Sequence, residues 1–306
     1  MRIVGPAVAL PVLAHVLGVP INRVLARRER GSVHPYGRLV EVDGRRMHVF
    51  ALGNGEPTVV LLAGANVPLP SADFGPLMRL LSPRFTVVCV EEPGVGHSDP
   101  TPVPRTNEHV VREIRLALTR AGFRPPYVLM PHSASGITSE YFATQHPGEV
   151  AAIVMLDTTS SAVADTRVPA VVYRLSRALQ ATGVSRFVNR LVVPRLLREN
   201  RGFTAQETRD FRVFMNQLWN DTIIDRNLRF ADNVDEVMRL PFPGTIPVRK
   251  IVPRSTLKRV GEPYQREHLR RLGPNARLEF VEGSHFVHHT HAARILDATV
   301  ELLERS

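Results

Sequence analysis

The chain has 306 residues, 43% of them hydrophobic and 22% charged, which is enough for one large domain or two small ones, and its formal net charge is +10. The arginines are scattered, without an aromatic-interleaved basic stripe, a helix-turn-helix pattern or a zinc-ligand spacing, so this charge does not predict a nucleic-acid partner. Cys89 is the only cysteine and lies in an apolar run, which excludes an intrachain disulfide and predicts a small core residue.

The N-terminal segment, residues 1–30, differs from the rest of the chain. Residues 3–22 are almost uncharged, mostly apolar, and near the roughly 20 residues that a helix needs to cross a bilayer, although Pro6, Pro11 and His15 weaken this pattern. No small-residue cleavage site follows, so an uncleaved membrane anchor is favoured over a signal peptide, and secretion is disfavoured. The alternative is a helix that lies on a membrane or packs on a cytoplasmic body. The arginines that follow favour a cytoplasmic C-terminal flank.

The body begins near Tyr36 with strand signals. Residues 39–50 alternate in polarity around Asp43-Gly44, which predicts a hairpin. Residues 58–62 form a continuous apolar run of the kind buried in a parallel sheet. Further apolar runs lie at 85–90, 127–130, 151–156, 248–252 and 277–281, and helical stretches at about 74–82, 106–121, 135–146, 262–272 and 290–304. This alternation predicts an α/β fold with a mostly parallel central sheet flanked by helices.

The alternation stops between about residues 160 and 245. That region has helical periodicity and no clear strand, so we expect a helical insertion that divides an α/β core of residues 36–159 and 246–306. The insertion is either a lid that shapes a substrate pocket or extra helices packed on the body.

A tight turn separates the apolar run 127–130 from the helical stretch after it. Its sequence, Pro131 to Gly136, places Ser133 at the tip, which is the arrangement of a nucleophile elbow. Such a turn exposes a hydroxyl above the sheet, and the helix N-terminus behind it offers N–H groups to a developing oxyanion. The flanking positions usually hold glycines but here hold Pro131 and Ser135, so a Ser/Gly-rich loop is the alternative.

With this layout, the chain resembles the α/β-hydrolase superfamily from about residue 38 to its C-terminus. The resemblance rests on four segments in the family's order, each at the end of a predicted strand: Leu61 to Asn66, Glu91 to Asp99, Pro131 to Gly136, and Gly283 to Phe286. It implies the α/β-hydrolase fold, in the branch that uses a serine nucleophile.

The resemblance implies catalytic roles for two residues. Ser133 is the expected nucleophile, and it needs a base to take its proton. His285 is the expected base, because an imidazole accepts that proton near neutral pH and returns it to the leaving group. Four other histidines compete for this role: His132, His288, His289 and His291.

The acid of the expected triad is harder to place. Most members carry it after the strand that follows the lid, where this chain has Pro253 to Thr256 and no carboxylate. Some members carry it one strand earlier, and there Asp157 follows the apolar run 151–156. We therefore assign Asp157 as the acid. The alternatives are that Asp157 caps a turn or helix, and that Glu262 is the acid.

The resemblance also implies an oxyanion hole made by the backbone N–H groups of Ala65 and Ala134. The side chain of Asn66 adds a donor or only makes a turn. Three carboxylates near the same sheet edge, Glu91, Glu92 and Asp99, either bind a cationic group or pair with nearby arginines, and we favour the second. We expect no metal and no cofactor.

The function that follows is hydrolysis through an acyl-enzyme on Ser133, with a small-molecule carboxylic ester or other acyl compound as substrate. A perhydrolase, an acyltransferase or a peptidase would use the same three residues. A non-catalytic ligand-binding member of the fold is the alternative outside enzymes. An epoxide hydrolase or dehalogenase is disfavoured, because these require an aspartate where Ser133 stands.

Overall fold

A computed structural model describes residues 6–159, 167–196 and 202–304 of the chain. Parts of the predicted N-terminal segment (1–5), insertion (160–166 and 197–201) and core (305–306) lie outside the described residues. The strands are β1 Arg38–Val42, β2 Arg45–Leu52, β3 Thr58–Leu62, β4 Thr86–Val90, β5 Tyr127–Pro131, β6 Val150–Leu156, β7 Val248–Pro253 and β8 Ala276–Val281. The helices are α1 Pro6–Gly31, α2 Pro70–Asp73, α3 Gly75–Leu81, α4 Asn107–Arg120, α5 Ser135–Gln145, α6 Ala170–Ala181, α7 Val184–Leu196, α8 Ala205–Met215, α9 Asp221–Arg239, α10 Arg254–Val260, α11 Glu262–Leu272, α12 Val287–Thr290 and α13 Ala292–Leu303.

All eight strands belong to one sheet in the order β1-β2-β4-β3-β5-β6-β7-β8. The first two form the predicted hairpin, and both Asp43 and Gly44 have positive φ, as a tight hairpin turn requires. Strand β2 runs antiparallel to β4, and every pairing from β4 to β8 is parallel. The prediction of a mostly parallel sheet flanked by helices is therefore confirmed.

The continuous apolar runs are explained by burial on both faces of this sheet. Along β3, Val60 and Leu62 pack with α4 and α5, while Val59 and Leu61 pack with α3 and α13. Successive side chains of a strand point to opposite faces, so a strand covered on both sides, such as β3, has a nearly continuous apolar sequence.

The parallel strands end at a common edge of the sheet. Leu62 pairs with Pro131 across β3 and β5, His132 pairs with Leu156, and Leu156 pairs with Ile251 across β6 and β7. Residues that directly follow these strands therefore come close together, as they do in open α/β folds generally.

Between β6 and β7, the described residues form the helices α6 to α9 and no strand. Their helical character agrees with the sequence. Their action as a lid stays a prediction.

The described part of the N-terminal segment forms the helix α1, whose second half packs against the insertion. The buried side chain of Asn22 donates to the carbonyl of Gln180 at 2.7 Å and accepts from Arg186 Nε at 2.5 Å. Among the described residues, no helix is both long and apolar enough to cross a membrane.

Candidate active site

The turn between β5 and α5 is held in the geometry of a nucleophile elbow. Ser133 has φ +56°, a left-handed conformation that costs a non-glycine residue about 1–3 kcal/mol and persists only where its surroundings enforce it. Ser135 supplies part of that enforcement, because its buried hydroxyl contacts the carbonyls of Leu62 and His132 at 2.7 and 2.8 Å.

Two glycines give the elbow the space that the flanking Pro131 and Ser135 do not. A Cβ on Gly64 would lie 2.8 Å from the Cβ of Ser133, and a Cβ on Gly136 would lie 2.6 Å from the Cβ of Thr158. Contacts that short force the backbone apart, so any side chain at either position would displace the turn.

The structure brings Ser133, His285 and Asp157 together. The Nε2 atom of His285 lies 2.9 Å from Ser133 Oγ, and its Nδ1 atom lies 2.6 Å from Asp157 Oδ2. The side chain of His285 is 34% exposed and that of Asp157 only 1%. With the proton on Nδ1, the imidazole donates to the carboxylate and its Nε2 lone pair accepts from the serine hydroxyl.

The loop position of each residue follows from the strand before it. Ser133 follows β5, Asp157 follows β6 with φ +42°, and His285 follows β8. The N–H of Asp157 donates to the carbonyl of Ile251 on β7 at 2.8 Å, which continues the strand pairing and fixes the carboxylate at the sheet edge.

Thr256 is a contact of the site that the sequence did not predict. Its buried hydroxyl donates to Asp157 Oδ2 at 2.6 Å from the first turn of α10. Thr256 occupies the position where the family pattern usually has its acid, so the carboxylate lies on β6 and its donor lies after β7. That position in the pattern was the signal that could have identified it.

Two alternatives were open for the acid: that Glu262 is the acid, and that Asp157 caps a turn or helix. Glu262 begins α11 and accepts from Arg266 at 2.7 Å, as a neighbour on the same helix. The Oδ2 atom of Asp157 accepts from His285 and Thr256, which is a different role from a helix cap.

The competing histidines have other partners. The ring of His132 points to the carbonyl of His285, with its Nε2 at 3.1 Å, and burial lowers its pKa well below the usual range. It is therefore a neutral donor that holds the His285 loop. The Nε2 atoms of His288 and His289 contact the two carboxylate oxygens of Asp73 at 2.9 and 3.0 Å, and His291 contacts the hydroxyl of Thr290.

Asp73, His288 and His289 are the one group among the described residues with metal-ligand geometry, their ligand atoms lying within 4.8 Å of one another. Both Nδ1 atoms are buried without a hydrogen-bond partner. A metal on Nε2 would leave a proton on Nδ1, which needs an acceptor. The group therefore fits hydrogen bonding to Asp73 better than it fits an ion.

The candidate oxyanion residues face a cavity of about 310 Å³ beside Ser133. Ala65 and Ala134 both line it, and Ala134 directly precedes α5, whose first N–H groups have no acceptor within the helix. Asn66 also lines it, with φ +61°, and exchanges amide hydrogen bonds of 2.9 and 3.3 Å with Asn227 on α9.

The acidic residues near this edge are paired. Glu92 lies 3.1 Å from Arg226, and Asp99 lies 3.0 Å from Arg46. Glu91 lies 3.0 Å from the ring of His48 and accepts from the hydroxyl of Ser71 at 2.6 Å. These contacts favour loop structure over cation recognition, with histidine as the partner of Glu91.

Comparison with known proteins agrees with this arrangement. A sequence profile described as alpha/beta hydrolase fold matches residues 57–232, more than half of the chain. The uncharacterised protein YbdG of Bacillus subtilis is 29% identical over 247 residues, which cover 78% of this chain and 75% of YbdG. A pimeloyl-[acyl-carrier protein] methyl ester esterase of Xanthomonas axonopodis pv. citri is 31% identical over 128 residues, 42% of this chain and 47% of the esterase.

Among solved structures, the epoxide hydrolase VrEH1 from Vigna radiata superposes with a TM-score of 0.63 at 17% identity, over 88% of this chain and 97% of that one. A likeness at that identity concerns the fold alone. The matched profile and the esterase from Xanthomonas support a hydrolase. The chain belongs to the alpha/beta hydrolase fold family.

Proposed function

We propose that the chain is a serine hydrolase that forms an acyl-enzyme on Ser133 and cleaves carboxylic esters. The observation that carries this proposal is the position of His285, whose two ring nitrogens lie 2.9 Å from Ser133 Oγ and 2.6 Å from Asp157 Oδ2.

The first half of the reaction acylates the serine. His285 Nε2 takes the proton of Ser133 as Oγ attacks the ester carbonyl, and the negative charge of the tetrahedral intermediate rests on the former carbonyl oxygen. The N–H groups of Ala65 and Ala134 stabilise that oxygen. His285 then gives the proton to the departing alcohol, which leaves an ester of Ser133.

The second half repeats these steps with water. His285 takes a proton from water, the hydroxide attacks the acyl-serine carbonyl, and the proton returns to Ser133 Oγ as the carboxylic acid leaves. Asp157 keeps the proton of the imidazole on Nδ1 and stabilises the imidazolium that forms twice in the cycle.

The substrate class is supported by the nucleophile and by one relative. A hydroxyl nucleophile suits acyl transfer, whereas opening an epoxide in this fold requires a carboxylate at the position of Ser133. The relative from Xanthomonas is named a methyl ester esterase. The cavity of about 310 Å³ has room for a small acyl group.

Labelling with a fluorophosphonate probe tests this proposal. We expect the wild-type protein to be labelled and Ser133→Ala to be unlabelled. Ser255→Ala, at an exposed serine of α10, is the matched control and should be labelled like wild type. p-Nitrophenyl esters of increasing chain length should then be hydrolysed by the wild-type protein and the control only.

Two results separate the alternatives. Labelling that persists in Ser133→Ala would mean that another residue is the nucleophile. A wild-type protein that neither reacts with the probe nor hydrolyses any ester, yet binds esters, would be a ligand-binding member of the fold.

A further inference from the structure

Three neighbouring helices expose apolar side chains that a soluble surface usually lacks. We call this the lid-side apolar surface: Leu17, Ile21, Val24 and Leu25 of α1, Val171, Val172, Leu175 and Leu179 of α6, and Val184, Phe187, Val188 and Leu191 of α7. The side chains of Phe187 and Leu191 are 76% and 70% exposed. Large contiguous apolar patches mark sites of interaction with proteins, ligands or membranes.

The exposed residues follow helical periodicity. On α7 they lie at positions 184, 187, 188 and 191, the spacing of one face of a helix. An amphipathic helix of a folded domain normally turns that face to the core. Here the face points outward, while Val193 of the same helix is buried.

The three helices are in contact, so their exposed residues lie on adjacent elements. Asn22 of α1 donates to the carbonyl of Gln180 on α6, and Arg186 of α7 donates to Asn22 and to the carboxylate of Glu29. On its buried side α6 contributes Tyr173 to the wall of the cavity beside Ser133.

The charge of this region is mostly positive. From Val168 to Leu191 the sequence has no acidic residue, and its basic residues are Arg174, Arg177, Arg186 and Arg190. Residues 6–28 also have no acidic residue and include Arg23, Arg27 and Arg28. Glu29, the first carboxylate, is bound by Arg186.

The charge of this region favours one binding partner, an anionic lipid surface, over another, a second copy of the chain. Arg177 pairs with Asp221 of α9, whereas Arg174 and Arg190 form no ion pair with a described carboxylate. A second copy of the chain in a two-fold contact would bring these like-charged arginines together. Anionic lipid headgroups supply the missing negative charge, and the acyl boundary beneath them accepts exposed Leu, Val and Phe side chains.

We propose that the lid-side apolar surface docks on an anionic lipid bilayer, with Phe187 and Leu191 inserted at the boundary between headgroups and acyl chains. This docking is independent of the chemistry proposed for Ser133. It extends the membrane contact expected for residues 3–22 to two helices of the insertion and places the cavity beside the bilayer.

Vesicle co-sedimentation of the full chain tests the proposal. We expect binding to vesicles of phosphatidylcholine mixed with phosphatidylglycerol, weaker binding to phosphatidylcholine alone, and weakening by salt. Phe187→Ser combined with Leu191→Ser should lower partitioning to the anionic vesicles about tenfold or more, because both side chains leave the acyl boundary. Arg174→Gln combined with Arg190→Gln should reduce the salt dependence.

Matched controls lie away from this surface. Tyr264→Ser removes an aromatic side chain that is 49% exposed on α11, and Arg120→Gln removes an exposed arginine at the end of α4. Both should bind vesicles as wild type does, and circular dichroism and Tm should be similar for all variants.

Three outcomes would overturn the proposal. If the Phe187→Ser, Leu191→Ser variant binds as wild type, the apolar N-terminal segment alone contacts the membrane. If wild type does not bind vesicles but is a dimer by light scattering, and this variant is a monomer, the surface joins two copies. Equal binding to neutral and anionic vesicles would mean that the arginines do not contribute to docking.

Discussion

At the scale of single residues, two hydrogen-bond donors hold the carboxylate of Asp157. His285 Nδ1 and Thr256 Oγ1 each lie 2.6 Å from its Oδ2 atom. Because the carboxylate side chain is almost fully buried, its charge is stabilised by these hydrogen bonds rather than by water. The donors therefore set the direction of the carboxylate, and the carboxylate sets the ring of His285.

Asp157→Asn tests the role of the charge. The amide keeps the shape of the side chain but favours the wrong tautomer of His285 and does not stabilise the imidazolium. We expect kcat to fall by about 10³–10⁴-fold with little change in Tm. Unchanged ester turnover in this variant would contradict the assignment of Asp157.

Thr256→Val tests the hydroxyl that the sequence did not predict. Loss of one hydrogen bond to a charged group costs about 1.5–3 kcal/mol, so kcat should fall about 10- to 100-fold while KM changes little. Thr256→Ser should restore most of the activity. If valine is harmless, or serine fails to rescue, the hydroxyl does not position the carboxylate.

The residues of the site differ in how far the sequence could identify them. Ser133, Asp157 and His285 each follow a strand that has a continuous apolar run or closes the sheet, so local pattern places them at the same edge. The contact of Thr256 depends instead on β6 and β7 being neighbours in register, with Leu156 opposite Ile251. That pairing joins strands far apart in the sequence, so the position of Thr256 in the family pattern was the one signal for this contact.

At the scale of elements, a pair of amide side chains links the loop after β3 to the insertion. Asn66 and Asn227 exchange two amide hydrogen bonds, and Asn66 directly follows Ala65, a candidate oxyanion donor. This pair holds the loop at the point where the proposed mechanism requires a backbone donor.

Asn227→Ala should loosen that loop. We expect a fall in kcat of about 3- to 10-fold, because one neutral hydrogen-bonded pair contributes about 0.5–1.5 kcal/mol, and a much smaller change in KM. In a double-mutant cycle with Asn66→Ala the two effects should not add. Additive effects would mean that the two residues act separately.

Element prediction succeeded where burial imposes a pattern. Strands β3 to β6 are apolar at nearly every position because both faces of the sheet are covered there, and the strands were predicted to within one or two residues. Helix α10 was missed, since its seven residues are mostly polar or basic and only Thr256 is buried. For residues 3–22, composition alone did not decide between spanning a membrane and packing, because the contacts of Asn22 depend on the distant α6 and α7.

At the scale of the whole molecule, buried histidines couple stability to pH. Burial lowers the pKa of His132, His268 and His288, so each stays neutral in the native state while its unfolded pKa is about 6.5. Their contribution to stability is complete above that pH and is lost as the pH falls below it. The lowered pKa values of Glu91 and Glu140 act in the same direction, but only near the unfolded carboxylate value of about 4.

Urea unfolding between about pH 7.5 and pH 5.5 measures this coupling. We expect the free energy of unfolding to decrease on acidification, by up to about 1.4 kcal/mol for each such histidine per pH unit below 6.5. A His288→Asn variant should have a weaker pH dependence. A midpoint that is constant or rises towards pH 5.5 would mean that these histidines protonate in the folded state.

The most direct measurement of the central claim is mass spectrometry of the protein during turnover of a slowly deacylating p-nitrophenyl ester. We expect a burst of p-nitrophenol equal to the enzyme concentration, a mass increase of one acyl group on the peptide that contains Ser133, and neither signal in His285→Ala. Turnover without any acyl adduct, or an adduct on another residue, would contradict a covalent mechanism at Ser133.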